Sequence, residues 1–119
     1  MSIQKFDAKE WQILWLKSEE VPKKDKQAIK ANLKIMSDDI DLAMNYSKES
    51  RLKKRRDAIV RIWFDNLDYL LDVDCTGSED YQLGIYDVKH RRLVGHLVSK
   101  RWSIDPPFRD ECYEAPETL

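Results

Sequence analysis

The chain has 119 residues, 42% of them apolar and 36% charged, with a formal net charge of −1. That length is one domain's worth, and a chain of this size buries about two thirds of its unfolded surface, so one core forms without staples. The near-neutral balance excludes any global pull toward nucleic acid or an anionic membrane; such a partner has to be met by a local patch.

The chain opens on a predicted helix. Asp7 is placed to act as N-cap with Glu10 three residues on, and Trp11, Leu14, Trp15 and Ser18 share one helical face. Two tryptophans at i,i+4 read as core anchors. Val21-Pro22 interrupts this pattern and marks the start of a second helix. In it Ile29, Leu33, Met36, Ile40 and Ala43 recur at spacings of four, three, four and three, a stripe suited to intramolecular packing. Read as one helix, this segment has its charges inverted. Lys23, Lys24, Lys26, Lys30 and Lys34 crowd the first half, and Asp38, Asp39 and Asp41 the second, the opposite of what the helix dipole favours.

Asn45-Tyr46-Ser47 reads as a break, with Ser47 as the N-cap of a third helix. Two templates compete over the following residues. As a helix running to about Asp72, it puts Asp57, Arg61, Asp65, Asp68 and Asp72 on one side and Ile59, Ile62, Trp63, Leu67, Leu70 and Leu71 on the other. As strands, Leu67, Tyr69, Leu71, Val73 and Cys75 alternate with aspartates, and Asp65-Asn66 is a hairpin turn. The helical match is longer and is the expectation. Residues 74–80 are loop-like. Tyr81, Leu83 and Ile85, then Val94, His96 and Val98, alternate as two arms of a hairpin, with Gly84 and Gly95 marking bulges or close backbone approach.

The fold class expected is therefore α+β, with two or three N-terminal helices followed by a small antiparallel β-sheet or hairpin. Residues 1–110 form the single domain and 111–119 an acidic, disordered tail. Trp11, Trp15, Ile29, Leu33, Met36, Ile40, Ile62, Trp63, Leu67, Leu70, Leu83 and Ile85 are the expected core.

Six cations in nine positions, Lys48, Arg51, Lys53, Lys54, Arg55 and Arg56, form a positive collar at the start of the expected third helix. The dipole disfavours cations there, so the collar asks for a functional reason. A second group, Arg91, Arg92 and His96, stands beside Lys89, His90, Lys100 and Arg101. If the two converge they make an anion or nucleic-acid site. Arg91 and His96 also stand in an R-x4-H arrangement that looks like the active-site spacing of HEPN ribonucleases, which implies an all-helical fold and RNA cleavage. That family usually has Asn or Asp after the Arg, where Arg92 stands here. Arg51 with Arg55, and Asp74 with Thr76 and Glu79, resemble the R-x3-R and D-x-S-x-x-G motifs of PilZ domains, which bind cyclic di-GMP. Thr76 and Glu79 replace that pattern's Ser and Gly, and the resemblance requires the strand reading of 58–75.

No glycine-rich phosphate loop, zinc pattern or nucleophile with a base at recognisable spacing is present, so no catalytic residue, cofactor or metal is expected. Cys75 and Cys112 are too few for a disulfide framework and read as reduced thiols. With no basic, then apolar leader in MSIQKFDAKEW and no membrane-length apolar run, a cytoplasmic protein without a membrane partner is expected. The functional expectation is a non-catalytic protein that binds another macromolecule, of the inhibitor, immunity, antitoxin or adaptor type, since segregated charge blocks suit a protein partner. The alternative is a nucleic-acid or nucleotide-binding protein that uses the clusters at 48–56 and 89–101, with RNA cleavage as its enzymatic form. Oligomeric state is left open by these patterns.

Overall fold

The computed structural model describes residues 6–16, 20–54, 58–76, 81–99 and 117–119. After a single 3-10 turn, Ala8–Glu10, come strand β1 (Trp11–Trp15), helices α1 (Lys23–Ile35) and α2 (Ser37–Leu52), and strands β2 (Val60–Trp63), β3 (Tyr69–Cys75), β4 (Tyr81–Asp87), β5 (Arg92–Ser99) and β6 (Glu117–Thr118). The strands form one antiparallel sheet in the order β2-β3-β4-β5-β1-β6. The α+β expectation holds, as a sheet of more strands than the expected hairpin.

The first expected helix is a strand. Asp7 does cap, its carboxylate accepting from the Lys9 N–H at 3.0 Å, but it caps only the 3-10 turn. Trp11, Ile13 and Trp15 then point together at the helices, each 7% exposed or less. The i,i+4 spacing of the two tryptophans fits a strand's period of two as well as a helix's period of 3.6, and Ile13 between them decides for the strand. β1 is held by β5 along its whole length, from Trp11 opposite Ser99 to Trp15 opposite Gly95.

The Val21-Pro22 start is borne out: the Pro22 carbonyl accepts from the N–H groups of Asp25 and Lys26 as α1 begins. The stripe Ile29, Leu33, Met36, Ile40 and Ala43 is buried throughout. It is shared by two helices, because Met36 ends α1 and opens α2. That division relieves part of the charge inversion, although Lys23, Lys24 and Lys26 still stand at the start of α1. Asp38 and Asp39 fall in the first turn of α2 and Lys34 in the last turn of α1, where the dipoles favour them. The expected break at Asn45–Ser47 does not occur. Ser47 lies inside α2, fully buried, and its hydroxyl accepts the Cys75 N–H at 2.7 Å.

The expected third helix is the β2–β3 hairpin, with Asn66 in the left-handed region (φ 58°) at the turn. Val60 pairs with Val73, and Ile62 with Leu71. Tyr69, Leu71, Val73 and Cys75 are buried beneath the helices, while Leu70, Asp72 and Asp74 lie on the outer face. Two expected core residues are thus displaced: Leu70 is only half-buried, and Trp63, paired with it, is 59% exposed. The 81–99 hairpin is borne out, with a bulge between Ile85 and Tyr86. Gly95 serves a close approach, since a Cβ there would lie 3.0 Å from the Leu14 carbonyl oxygen. Glu117–Thr118, in the tail expected to be disordered, pair with Gln12 and Ile13; positions 100–116 lie outside the described residues.

α2 packs on β2 and β3, and α1 contributes Ile29 and Leu33 to the same core. Among the described residues no helix is long and apolar enough to cross a membrane.

Candidate interaction surface

The described part of the basic collar, Lys48 to Lys54, sits at the end of a helix, reversing the expected placement. Lys48 and Arg51 lie in the last turns of α2, where the dipole welcomes cations, so their basicity has a local structural reason. Arg51 grips both carboxylate oxygens of Asp74, at 2.8 and 2.9 Å, and Lys53 meets Glu49 at 2.6 Å. Lys54 is exposed, with φ 53° just after the helix; Arg55 and Arg56 lie outside the described residues. Arg51 and Asp74, two residues of the PilZ-like pattern, therefore bind each other.

The second cationic group is elsewhere. Arg91 is exposed, with φ 53° in the β4–β5 turn. Arg92 bonds Glu20 at 2.7 Å and stands 3.9 Å from Asp87. Asp74 and the Tyr69 that faces Asp87 are near opposite ends of β3, about 17 Å apart along the strand. The described members of the two clusters do not converge. His96 is on β5, opposite Gly84 and Leu14 on the outer face, so Arg91 and His96 are in a turn and a strand, outside any helix. Burial pushes the His96 imidazole down to about 4.

A polar cleft of about 620 Å³ opens at the Tyr69 end of the sheet. The Tyr69 hydroxyl donates to Asp25 at 2.9 Å, and buried Asp87 accepts the His90 backbone N–H at 3.2 Å with His90 Nδ1 at 2.7 Å. Burial, the bond to Asp25 and the nearby Asp25 and Asp87 charges raise the Tyr69 phenol above its ordinary value. A phenol held that firmly protonated is a hydrogen-bond donor and a poor nucleophile or base at neutral pH. Asp87 caps its own turn through His90. Asp25, Tyr69, Asp87 and His90 are therefore engaged in holding α1 and the β4–β5 turn to the sheet. Among the described residues no group of three His, Cys, Asp or Glu side chains is placed to hold a metal ion.

A surface left open among the described residues is the β2 edge. β2 ends the sheet order, so among the described strands one of its sides has no neighbour. The Phe64 N–H donates to the Tyr69 carbonyl at 3.1 Å. In antiparallel pairing hydrogen-bonded residues alternate, so Ile62 and Val60 also turn their backbone groups toward β3. Arg61 and Trp63 therefore turn theirs outward. Beside this edge runs an open groove of about 680 Å³, lined by Asp39, Leu42, Ala43, Asn45, Tyr46 and Glu49 of α2 and by all four residues of β2. Leu42 is 68% exposed and Tyr46 51%, and Ile59 lies exposed just before the strand. Arg61 meets Asp72 at 3.3 Å.

From the sequence, Ile59 and Trp63 share the apolar side of an expected helix, Tyr46 falls in an expected break, and Leu42 carries no signal. The signal that finds them is the Asp65-Asn66 turn: once 60–75 is a hairpin, Trp63 pairs with Leu70 on the face away from the helices. Comparison with known protein families, with curated protein sequences and with solved structures returns no match to this chain.

Proposed function

We propose that this protein acts without catalysis, by binding a protein chain along the open β2 edge and the apolar groove beside α2. The observation that carries this reading is the union of outward backbone groups at Arg61 and Trp63 with the exposed apolar residues Leu42, Tyr46, Ile59 and Trp63. An unpaired strand edge is a template for main-chain hydrogen bonds, and the flanking pockets select side chains at alternate positions. Exposed aromatic residues suit such a surface because they give large contact area at small entropic cost. The nucleic-acid alternative has less to rest on, since Arg51, Lys53 and Arg92 are paired with Asp74, Glu49 and Glu20.

The test is capture from native cells with the tagged full chain, comparing wild type with Tyr46→Glu and Trp63→Glu, both at exposed sites that leave the core intact. The reading expects a captured protein, an untagged copy of the same chain included, that both variants lose while their circular dichroism stays native. Capture of nucleic acid that survives these changes and disappears in a Lys53→Ala/Lys54→Ala double variant would overturn it.

A further inference from the structure

Resting on the reading of β2 as a protein-binding edge, we infer that the chain it receives is β2 of a second copy, in a two-fold antiparallel pairing that sets Arg61 opposite Trp63 of the partner copy. The register follows from the backbone. Only Arg61 and Trp63 turn N–H and C=O outward, so an incoming copy has to meet them with the same two residues. Three alignments satisfy this. Setting Arg61 against Arg61 places like charges directly opposite each other, which is unfavourable. Setting Trp63 against Trp63 leaves Val60 and Arg61 without strand partners. Setting Arg61 against Trp63 pairs Arg61, Ile62 and Trp63 with one another's copies, places Val60 opposite Phe64 just past the strand, and closes a two-fold axis through Ile62.

Side-chain chemistry fits that third register. Arg61 and Trp63 are both on the outer face, as shown by their partners Asp72 and Leu70. In the pair each guanidinium lies beside the indole of the other copy, twice by symmetry, a favourable arrangement of cation and π face. Arg61 also remains within reach of Asp72, so its charge stays compensated. On the other face Ile62 meets Ile62, and the two α2 helices come alongside through Leu42 and Tyr46, the exposed apolar residues of the groove. An isologous contact of this kind uses one patch twice and closes, so it yields a dimer with a continuous sheet and no filament.

The experiment is sedimentation equilibrium on the full chain over a range of micromolar concentrations, with circular dichroism on every sample. The expected mass is twice 14.2 kDa at the upper concentrations. Arg61→Pro removes the outward N–H and leaves the β2–β3 bonds intact, because that N–H makes none of them. It should weaken the dimer by roughly ten- to a hundredfold, as both symmetric bonds are lost. Ile62→Cys reports the register: position 62 faces itself as a non-hydrogen-bonded pair with Cα atoms about 4.5 Å apart, within disulfide range. Under mild oxidation it should give a covalent dimer that Arg61→Cys, two positions out of line with itself, does not. A folded chain that stays monomeric throughout overturns the inference, and so does a dimer indifferent to Arg61→Pro. If the monomer still captures a different protein that Tyr46→Glu loses, the β2 edge remains a protein-binding surface and only its occupant changes.

Discussion

Two serines one turn apart on α2 should respond to alanine with opposite sign. Ser47 and Ser50 are both fully buried in the same helix. The Ser47 hydroxyl accepts the Cys75 N–H at 2.7 Å, whereas the Ser50 hydroxyl oxygen is buried without a hydrogen-bond partner. The reason lies in the register. Odd-numbered residues of β3 direct their N–H toward β2, but the β2 ladder ends where Val60 meets Val73. Cys75, two residues further on, has no strand on that side, and Ser47 takes the strand's place. Ser47→Ala leaves that N–H buried and unsatisfied, a cost of about 1–3 kcal/mol. Both substitutions gain the same helix propensity, about 0.5 kcal/mol, so their difference isolates the hydrogen bond. Ser47→Ala should lower stability by about 1–2 kcal/mol, some 4–8 °C in Tm for a domain this size. Ser50→Ala should be neutral or stabilising by about 0.5 kcal/mol. Urea titration followed by circular dichroism and tryptophan fluorescence measures both. The reasoning is refuted if Ser50→Ala is the more damaging change, or if the two variants coincide.

Further predictions concern the sheet and its charges. Gly95→Ala should cost about 1–3 kcal/mol, because its Cβ would press on the Leu14 backbone carbonyl at 3.0 Å. Gly84→Ala should cost less, since its contact, at 2.9 Å, is the flexible end of Leu93, and denaturant midpoints rank the two. His96 has its folded value lowered from 6.5 to about 4, so between those pH values the unfolded chain holds a proton that the folded chain refuses. Stability is therefore full above about pH 6.5 and falls as pH drops toward 4, by at most about 3 kcal/mol. His96→Gln should flatten that part of the profile, measured by urea unfolding at a series of pH values. Arg51→Ala breaks an exposed pair with Asp74 and should change stability by no more than about 1 kcal/mol, read in the same titration.

Charge placement shows how far a local rule travels. Asp38, Asp39 and Arg51 look anomalous only while the helix boundaries are misplaced, whereas Lys23, Lys24 and Lys26 still stand at the start of α1. With Met36 as a joint and Leu52 as the end of α2, Asp38, Asp39 and Arg51 all obey the dipole. For these three residues the apparent anomaly was a boundary error. The opposite error hid Trp63. An apolar residue in an apolar run reads as core, yet at the sheet edge it faces outward.

The amino-acid sequence alone determined the helical stripe from Ile29 to Ala43, the start of α1 after Pro22, and the 81–99 hairpin with its tight glycines. These signals are local: a period, a breaker and an alternation bounded by turns. It could not choose between helix and strand for Trp11–Trp15 or for 60–75, because residues four apart share a face in both periods. Tertiary structure decided those segments, since a sheet closes its ladders only with partners distant in the chain: β5 for β1, and β4 together with Ser47 for β3. It also decided that the described members of the two cationic clusters stand apart and that β2 ends the sheet among the described strands. An edge is defined by the neighbour a strand does not have, and no stretch of sequence carries that information by itself.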